Sequence, residues 1–284
     1  MTPTATQVLV PSGDVTLSVR RLGAGSGVPL LFLHGLSYFS YDWLPIAGTF
    51  GGTRECACMD MRGFGDSQSS PGADYAVSTM ARDVAHVADR FGWERLVVVG
   101  HSMGGRSAAA FCAFNPTRAA GLVLVDYSPV NTPEGSGRVA RTVSAVPDRF
   151  ASVDDAMQYF SVDPHSPSGC DKRRRFEAYL RPVPGGFEIK RDPFFRDQFR
   201  RALQTGERPK LDLDMWKVLA DLRCPTLVLR GTRSDMFAAE TVPLVRSANP
   251  CILVHEIEAG HDIGGENPQG LISAVDSFLT SLEK

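Results

Sequence analysis

Long apolar runs are missing from this chain of 284 residues, and none reaches the length of a bilayer-spanning helix. A dominant charge is missing too. Lysine and arginine total 30 against 32 acidic residues, for a formal net charge of -2. That balance points to neither a nucleic-acid nor a membrane partner. The most basic run, Lys172-Arg173-Arg174-Arg175, is short, has Asp171 and Glu177 beside it, and reads as a solvated helix face. Metal-type cysteine spacing is absent. Cys56, Cys58, Cys112, Cys170, Cys224 and Cys251 form no C-x-x-C pair, and most lie in apolar context, as buried thiols in a reducing cytoplasm would. Cys56 and Cys58 share a strand face, but no His or Cys cluster accompanies them, so no metal site is expected. Met1 to Thr6 has neither the basic nor the apolar region of a signal peptide, and a cytoplasmic location is expected. Internal repeats and low-complexity tracts are also absent.

What the chain does have is alternation. Val8 to Val10 and Val15 to Arg20 read as short strands around Pro11-Ser12-Gly13-Asp14, and Gly23 to Gly27 reads as a loop. Leu30 to Leu33, Cys56 to Met59, Arg95 to Val99 and Ala120 to Val125 are apolar strand candidates. Asp42 to Thr49 reads as a short helix between the first two of these. Thr79 to Phe91 carries helical periodicity, with Ser78 as a plausible N-cap. Strands alternating with helices predict a parallel sheet covered on both faces. The alternation stops near Ser128, resumes at Thr226 to Gly231, and ends with a strand over Cys251 to Ile257 and a helix over Pro268 to Leu282. Residues 1–128 and 216–284 therefore read as one discontinuous core, and residues 129–215 as a helical cap inserted over the strand ends.

The chemistry centres on Gly100-His101-Ser102-Met103-Gly104, a G-x-S-x-G between a buried strand and an Ala-rich helix. Strand, tight turn and helix is the context in which a serine is held exposed above a sheet edge. A serine at its ordinary pKa needs a base. Of six histidines, His86 reads as surface and His255 as structural. The His101 side chain leaves the turn in another direction, and His165 falls in the cap. His261, in Ala259-Gly260-His261-Asp262 just past the last strand, falls at the same sheet edge as Ser102.

These segments resemble the α/β-hydrolase family over nearly the whole chain. The resemblance is carried by His34-Gly35, by Asp60-Met61-Arg62-Gly63-Phe64-Gly65-Asp66-Ser67, by the turn at Ser102, and by Gly260-His261 followed by Glu266-Asn267-Pro268. It implies a mostly parallel eight-stranded sheet with helices on both faces. It also implies an oxyanion hole from the backbone N–H groups of Met103 and Leu36.

The acid is contested. The family's usual position holds Ser234, with Asp235 one residue later. Asp126, after Val123-Leu124-Val125, is the place used by some branches, including amide hydrolases similar to N-formylmaleamate deformylase. Asp126 is the expected partner of His261, with Asp235 as the alternative. The expected activity is hydrolysis of an ester or amide of a small molecule through an acyl-enzyme, with no metal or cofactor. The aromatic and arginine content of the cap (Arg138, Arg141, Arg173, Arg181, Arg191, Arg196) raises the prospect of a carboxylate-bearing substrate. Alternatives are hydrolysis of a carbon–carbon bond in a ring-cleavage product and slow turnover by a receptor-like ligand-binding protein.

Overall fold

Apolar side chains alternate in the face they serve, and this builds the sheet. In the computed structural model, which describes residues 4–207 and 209–283, Leu96, Val98, Leu122, Leu124 and Val228 enter one core cluster. Their chain neighbours Val97, Val99, Val123, Val125, Leu227 and Leu229 enter another. The period of two sends consecutive residues to opposite faces, and both faces are buried.

The first half of the chain runs β1 (Thr6–Ser12), β2 (Val15–Leu33), α1 (Ser40–Phe50), β3 (Arg54–Met59), α2 (Val77–Phe91), β4 (Leu96–His101), α3 (Met103–Phe114) and β5 (Ala119–Val125). The next segment holds α4 (Pro133–Ala145), α5 (Val153–Tyr159), α6 (Pro167–Tyr179), β6 (Leu180–Val183), β7 (Gly186–Ile189) and α7 (Pro193–Thr205). The chain then returns through α8 (Met215–Ala220), β8 (Thr226–Gly231), α9 (Val242–Ala248), β9 (Ile252–Ile257), α10 (Ile263–Glu266) and α11 (Pro268–Leu282). Among the described residues no helix is long and apolar enough to cross a membrane.

The main sheet has seven strands in the order β1-β2-β4-β5-β8-β9, with β3 paired to β2. The expected eighth position comes from β2 itself. The stretch read as a loop, Gly23 to Gly27, is part of that strand. Its first arm pairs with β3 in descending register, Val19 with Met59 down to Leu22 with Cys56. Its second arm pairs in ascending register, Leu30 with Cys56 up to Leu33 with Met59. One strand therefore flanks β3 on both sides. Glycine makes the bend possible: a Cβ on Gly25 would lie 1.9 Å from the Thr53 carbonyl carbon.

Two further expectations are corrected. Ser78 does not cap α2, which begins at Val77 after Ala76. The Asp212 carboxylate, distant in sequence, accepts the N–H groups of Val77 and Ser78 at 2.8 and 3.1 Å instead. Residues 129–215 also contain the short antiparallel pair β6–β7 besides helices. That segment has its own small core of Val146, Phe150, Met157, Phe176 and Tyr179, into which Phe39 reaches from the approach to α1. Ion pairs tie it down: Arg175 to Asp42 at 2.5 and 3.1 Å, and Lys190 to Asp66 at 2.6 Å. Arg175 is thus a tether rather than part of a solvated face.

Candidate active site

Ser102 sits between β4 and α3 with φ +51°, and Asp126 just past β5 with φ +44°. Both are in the left-handed region that side chains other than glycine rarely adopt. Each is held there by a hydrogen bond continuing the sheet ladder. The Ser102 N–H donates to the Val125 carbonyl at 3.1 Å, and the Asp126 N–H to the Leu229 carbonyl at 2.7 Å. The two residues therefore stand side by side above neighbouring strands.

His261 joins them. The Ser102 hydroxyl lies 3.1 Å from His261 Nε2, and His261 Nδ1 lies 2.6 Å from Asp126 Oδ2. An ionised carboxylate only accepts, so Nδ1 carries the hydrogen and Nε2 is left to accept from the serine. The Asp126 side chain is fully buried. Its charge is held by two more donors, the Gly231 N–H at 2.8 Å and the Ser234 hydroxyl at 2.5 Å. Ser234, at the position where the family pattern expects an acid, is here a donor to the acid on the neighbouring strand. Asp235 is elsewhere. Its carboxylate pairs with Arg138, with Nη2 to Oδ1 at 2.8 Å, and that guanidinium holds its pKa below the usual carboxylate range.

Two buried histidines position the surrounding loops. His34 Nδ1–H donates to the Gly35 carbonyl at 2.8 Å, while Nε2 accepts the Met61 N–H at 3.0 Å. His101 Nε2–H donates to the carbonyl of His261 at 3.0 Å. Burial pushes both pKa values down to about 4, with the nearby His261 adding to the effect on His101. Sequence reasoning set His101 aside because its side chain leaves the turn. It does leave, and in doing so it fixes the backbone of His261. Of the other histidines, His86 hydrogen-bonds Ser12, and His165 and His255 are exposed.

The segment around Asp60 is structural. Asp60, fully buried, accepts from the N–H groups of Ser40 at 2.7 Å and Asp66 at 3.0 Å. Arg62 pairs bidentately with buried Asp83 at 2.7 and 2.8 Å. Cys56 and Cys58 are buried, and desolvation pushes the Cys56 thiol up to about 12 and Cys58 well above its ordinary value. Both are held as thiols by that burial.

Ser102 and His261 open into a cavity of about 1390 Å³ whose walls include Leu36 and Met103 from the core and Val143, Phe176 and Phe199 from the 129–215 segment. Leu36 opens a turn closed by the Tyr38 N–H on the Gly35 carbonyl, and Met103 opens α3. The arrangement can take a proton from a serine hydroxyl, and Leu36 and Met103 line the same cavity. This is the architecture of a hydrolase.

The comparisons agree. Residues 28–268 match the family model of the alpha/beta hydrolase fold, and the chain belongs to that family. It is 25% identical over 272 residues to 2-(acetamidomethylene)succinate hydrolase of Mesorhizobium japonicum, covering 95% of this chain and 94% of that one. It is 26% identical over 256 residues to N-formylmaleamate deformylase of Pseudomonas putida, covering 90% of each. The crystal structure of E-2-(acetamidomethylene)succinate hydrolase superposes with a TM-score of 0.84 at 24% identity, covering 98% of this chain and all of that one, as a likeness of fold.

Proposed function

We propose that this chain hydrolyses an ester or amide of a small organic acid through an acyl-enzyme on Ser102, with His261 as base and Asp126 as the acid behind it. The observation that carries this reading is the unbroken hydrogen-bond path from the Ser102 hydroxyl through His261 to Asp126. In the proposed reaction His261 takes the Ser102 proton as the oxygen attacks the carbonyl carbon. The negative charge that forms on the carbonyl oxygen is met by the N–H groups of Met103 and Leu36. Donors of this kind are each worth about 3 kcal/mol in the transition state. His261 then gives its proton to the leaving group and activates a water to release the acid.

Residues 129–215 serve in this reading as a cap that keeps bulk water from the acyl-enzyme. The two relatives named for small amide-bearing acids support that substrate class. All six cysteines are free, four of them buried, which suits work in a reducing cytoplasm.

The test is Ser102→Ala assayed on a panel of aryl esters and N-acyl enamides. Turnover should fall by roughly five to six orders of magnitude while the melting temperature holds. A fluorophosphonate should label the parent and not the variant. Activity within tenfold of the parent would sink the assignment.

A further inference from the structure

Most arginines of the 129–215 segment are already matched to carboxylates. Arg138 pairs with Asp235, Arg173 with Asp154, Arg175 with Asp42, Arg181 with Glu188 and Arg196 with Asp148. Arg106, on α3 in the core, is different. It lines the same cavity as Ser102, yet among the described residues its guanidinium has neither an ion pair nor a hydrogen bond. The titratable neighbour it feels is the Tyr127 phenol, whose own pKa is raised by burial. Desolvation lowers the Arg106 pKa, but arginine stays charged, so the group cannot escape by losing its proton.

The next residue is placed differently. Ser107 is 1% exposed, and its hydroxyl has no partner. The two are consecutive on the helix and turn about 100° apart, so only the part-buried Arg106 guanidinium is open to the cavity, while the Ser107 hydroxyl is closed off from it.

We infer that Arg106 forms the seat for a carboxylate of the substrate, on the wall of the cavity beside α3. The proposal rests on the Ser102 reading and adds to it the substrate class: half-esters or half-amides of short dicarboxylic acids. A carboxylate fits better than a phosphate. One guanidinium neutralises one charge and matches the two oxygens of a carboxylate with its fork. The seat's distance follows from helix geometry. Arg106 comes four residues after Ser102, about 5 to 6 Å along the axis, and helical side chains lean toward the N-terminus. The bound carboxylate therefore falls a few bonds from the carbonyl under attack.

The test is calorimetric titration of the full chain with succinate, glutarate and adipate, which needs no turnover. At least one should bind at millimolar concentration. Arg106→Gln should weaken that binding about ten- to a hundredfold, the range of a charge-assisted hydrogen bond. Ser107→Ala should leave it within twofold of the parent, and Arg106→Lys, which keeps charge but loses the fork, should fall between Arg106→Gln and the parent. Arg106→Met guards against misfolding. It should melt no lower than the parent, because it removes an uncompensated charge, and a dicarboxylate that raises the parent's melting temperature should leave the variant's unmoved. Arg191, buried on the same cavity without a carboxylate, provides the contrast. The seat is overturned by a parent that binds none of the three acids, by Arg106→Gln within twofold of the parent, or by loss of binding in Arg191→Gln in place of Arg106→Gln. Each of those results leaves the Ser102 assay untouched. A dead Ser102 assay with intact glutarate binding would instead remove the acyl-enzyme reading and keep the seat.

Discussion

Asp126 and Asp235 are the same chemical group, and each follows a buried strand of the sheet. Their surroundings separate them. Asp126 accepts from His261, Ser234 and Gly231 out of contact with solvent. Asp235 faces Arg138 at the surface. Asp126→Asn should keep the fold and lower kcat by about four orders of magnitude, because an amide in that place permits the wrong histidine tautomer. Asp235→Asn should stay within a few-fold of the parent, since an exposed pair contributes about 1 kcal/mol or less. Ser234→Ala removes one of three hydrogen bonds to the carboxylate and should cost roughly tenfold in kcat. Steady-state kinetics of the three variants on one ester decide the matter. Equal losses in the two aspartate variants would mean that Arg138 and its partner also serve His261.

At the scale of the element, the turn between β4 and α3 depends on absent side chains. A Cβ on Gly104 would lie 2.6 Å from the Leu33 carbonyl oxygen and 2.7 Å from that of His34. Both obstacles are backbone, so neither can rotate away. Gly104→Ala should push α3 off the end of β2 and widen the gap between the N–H groups of Met103 and Leu36. Overpacking of this kind costs about 1 to 3 kcal/mol, or roughly 2 to 10 °C in a chain of this size. Gly72→Ala, with open space around it, should melt with the parent.

The same turn shows what the sequence made legible. Strand, glycine-flanked serine and helix are a local pattern, and so were the strand ends carrying Asp126 and His261. What escaped was non-local. The fold-back of β2 around β3 depends on Gly25 approaching Thr53, and the start of α2 depends on Asp212 arriving from the far side of the 129–215 segment. Four helices did announce their starts locally. Thr132-Pro133, Ser166-Pro167, Asp192-Pro193 and Asn267-Pro268 each set a capping oxygen before a proline, which fits the first helical position.

For the whole molecule, the two buried histidines couple stability to acid. His34 and His101 hold their folded-state pKa values near 4, against an ordinary value of 6.5. As pH falls below 6.5 the unfolded chain takes up these protons while the native chain refuses them. Stability from this source is whole above pH 6.5 and is lost progressively until pH approaches 4. Each histidine withdraws about 1.4 kcal/mol per pH unit inside that window, or about 3 kcal/mol across it. The site should loosen along with the fold, because both rings bear on the loop that carries Leu36. His34 holds the Gly35 carbonyl, and a Cβ on Gly35 would stand 2.8 Å from His101 Nδ1. Urea unfolding measured from pH 7 to 4.5 should show the decline. His34→Gln keeps a donor and an acceptor for Gly35 and Met61 but cannot take up the proton. Its stability should therefore fall by about 1.4 kcal/mol less than the parent's between pH 6 and pH 5. Parallel curves for the two proteins would mean that His34 is already protonated in the native state, and that the Met61 N–H has lost its acceptor.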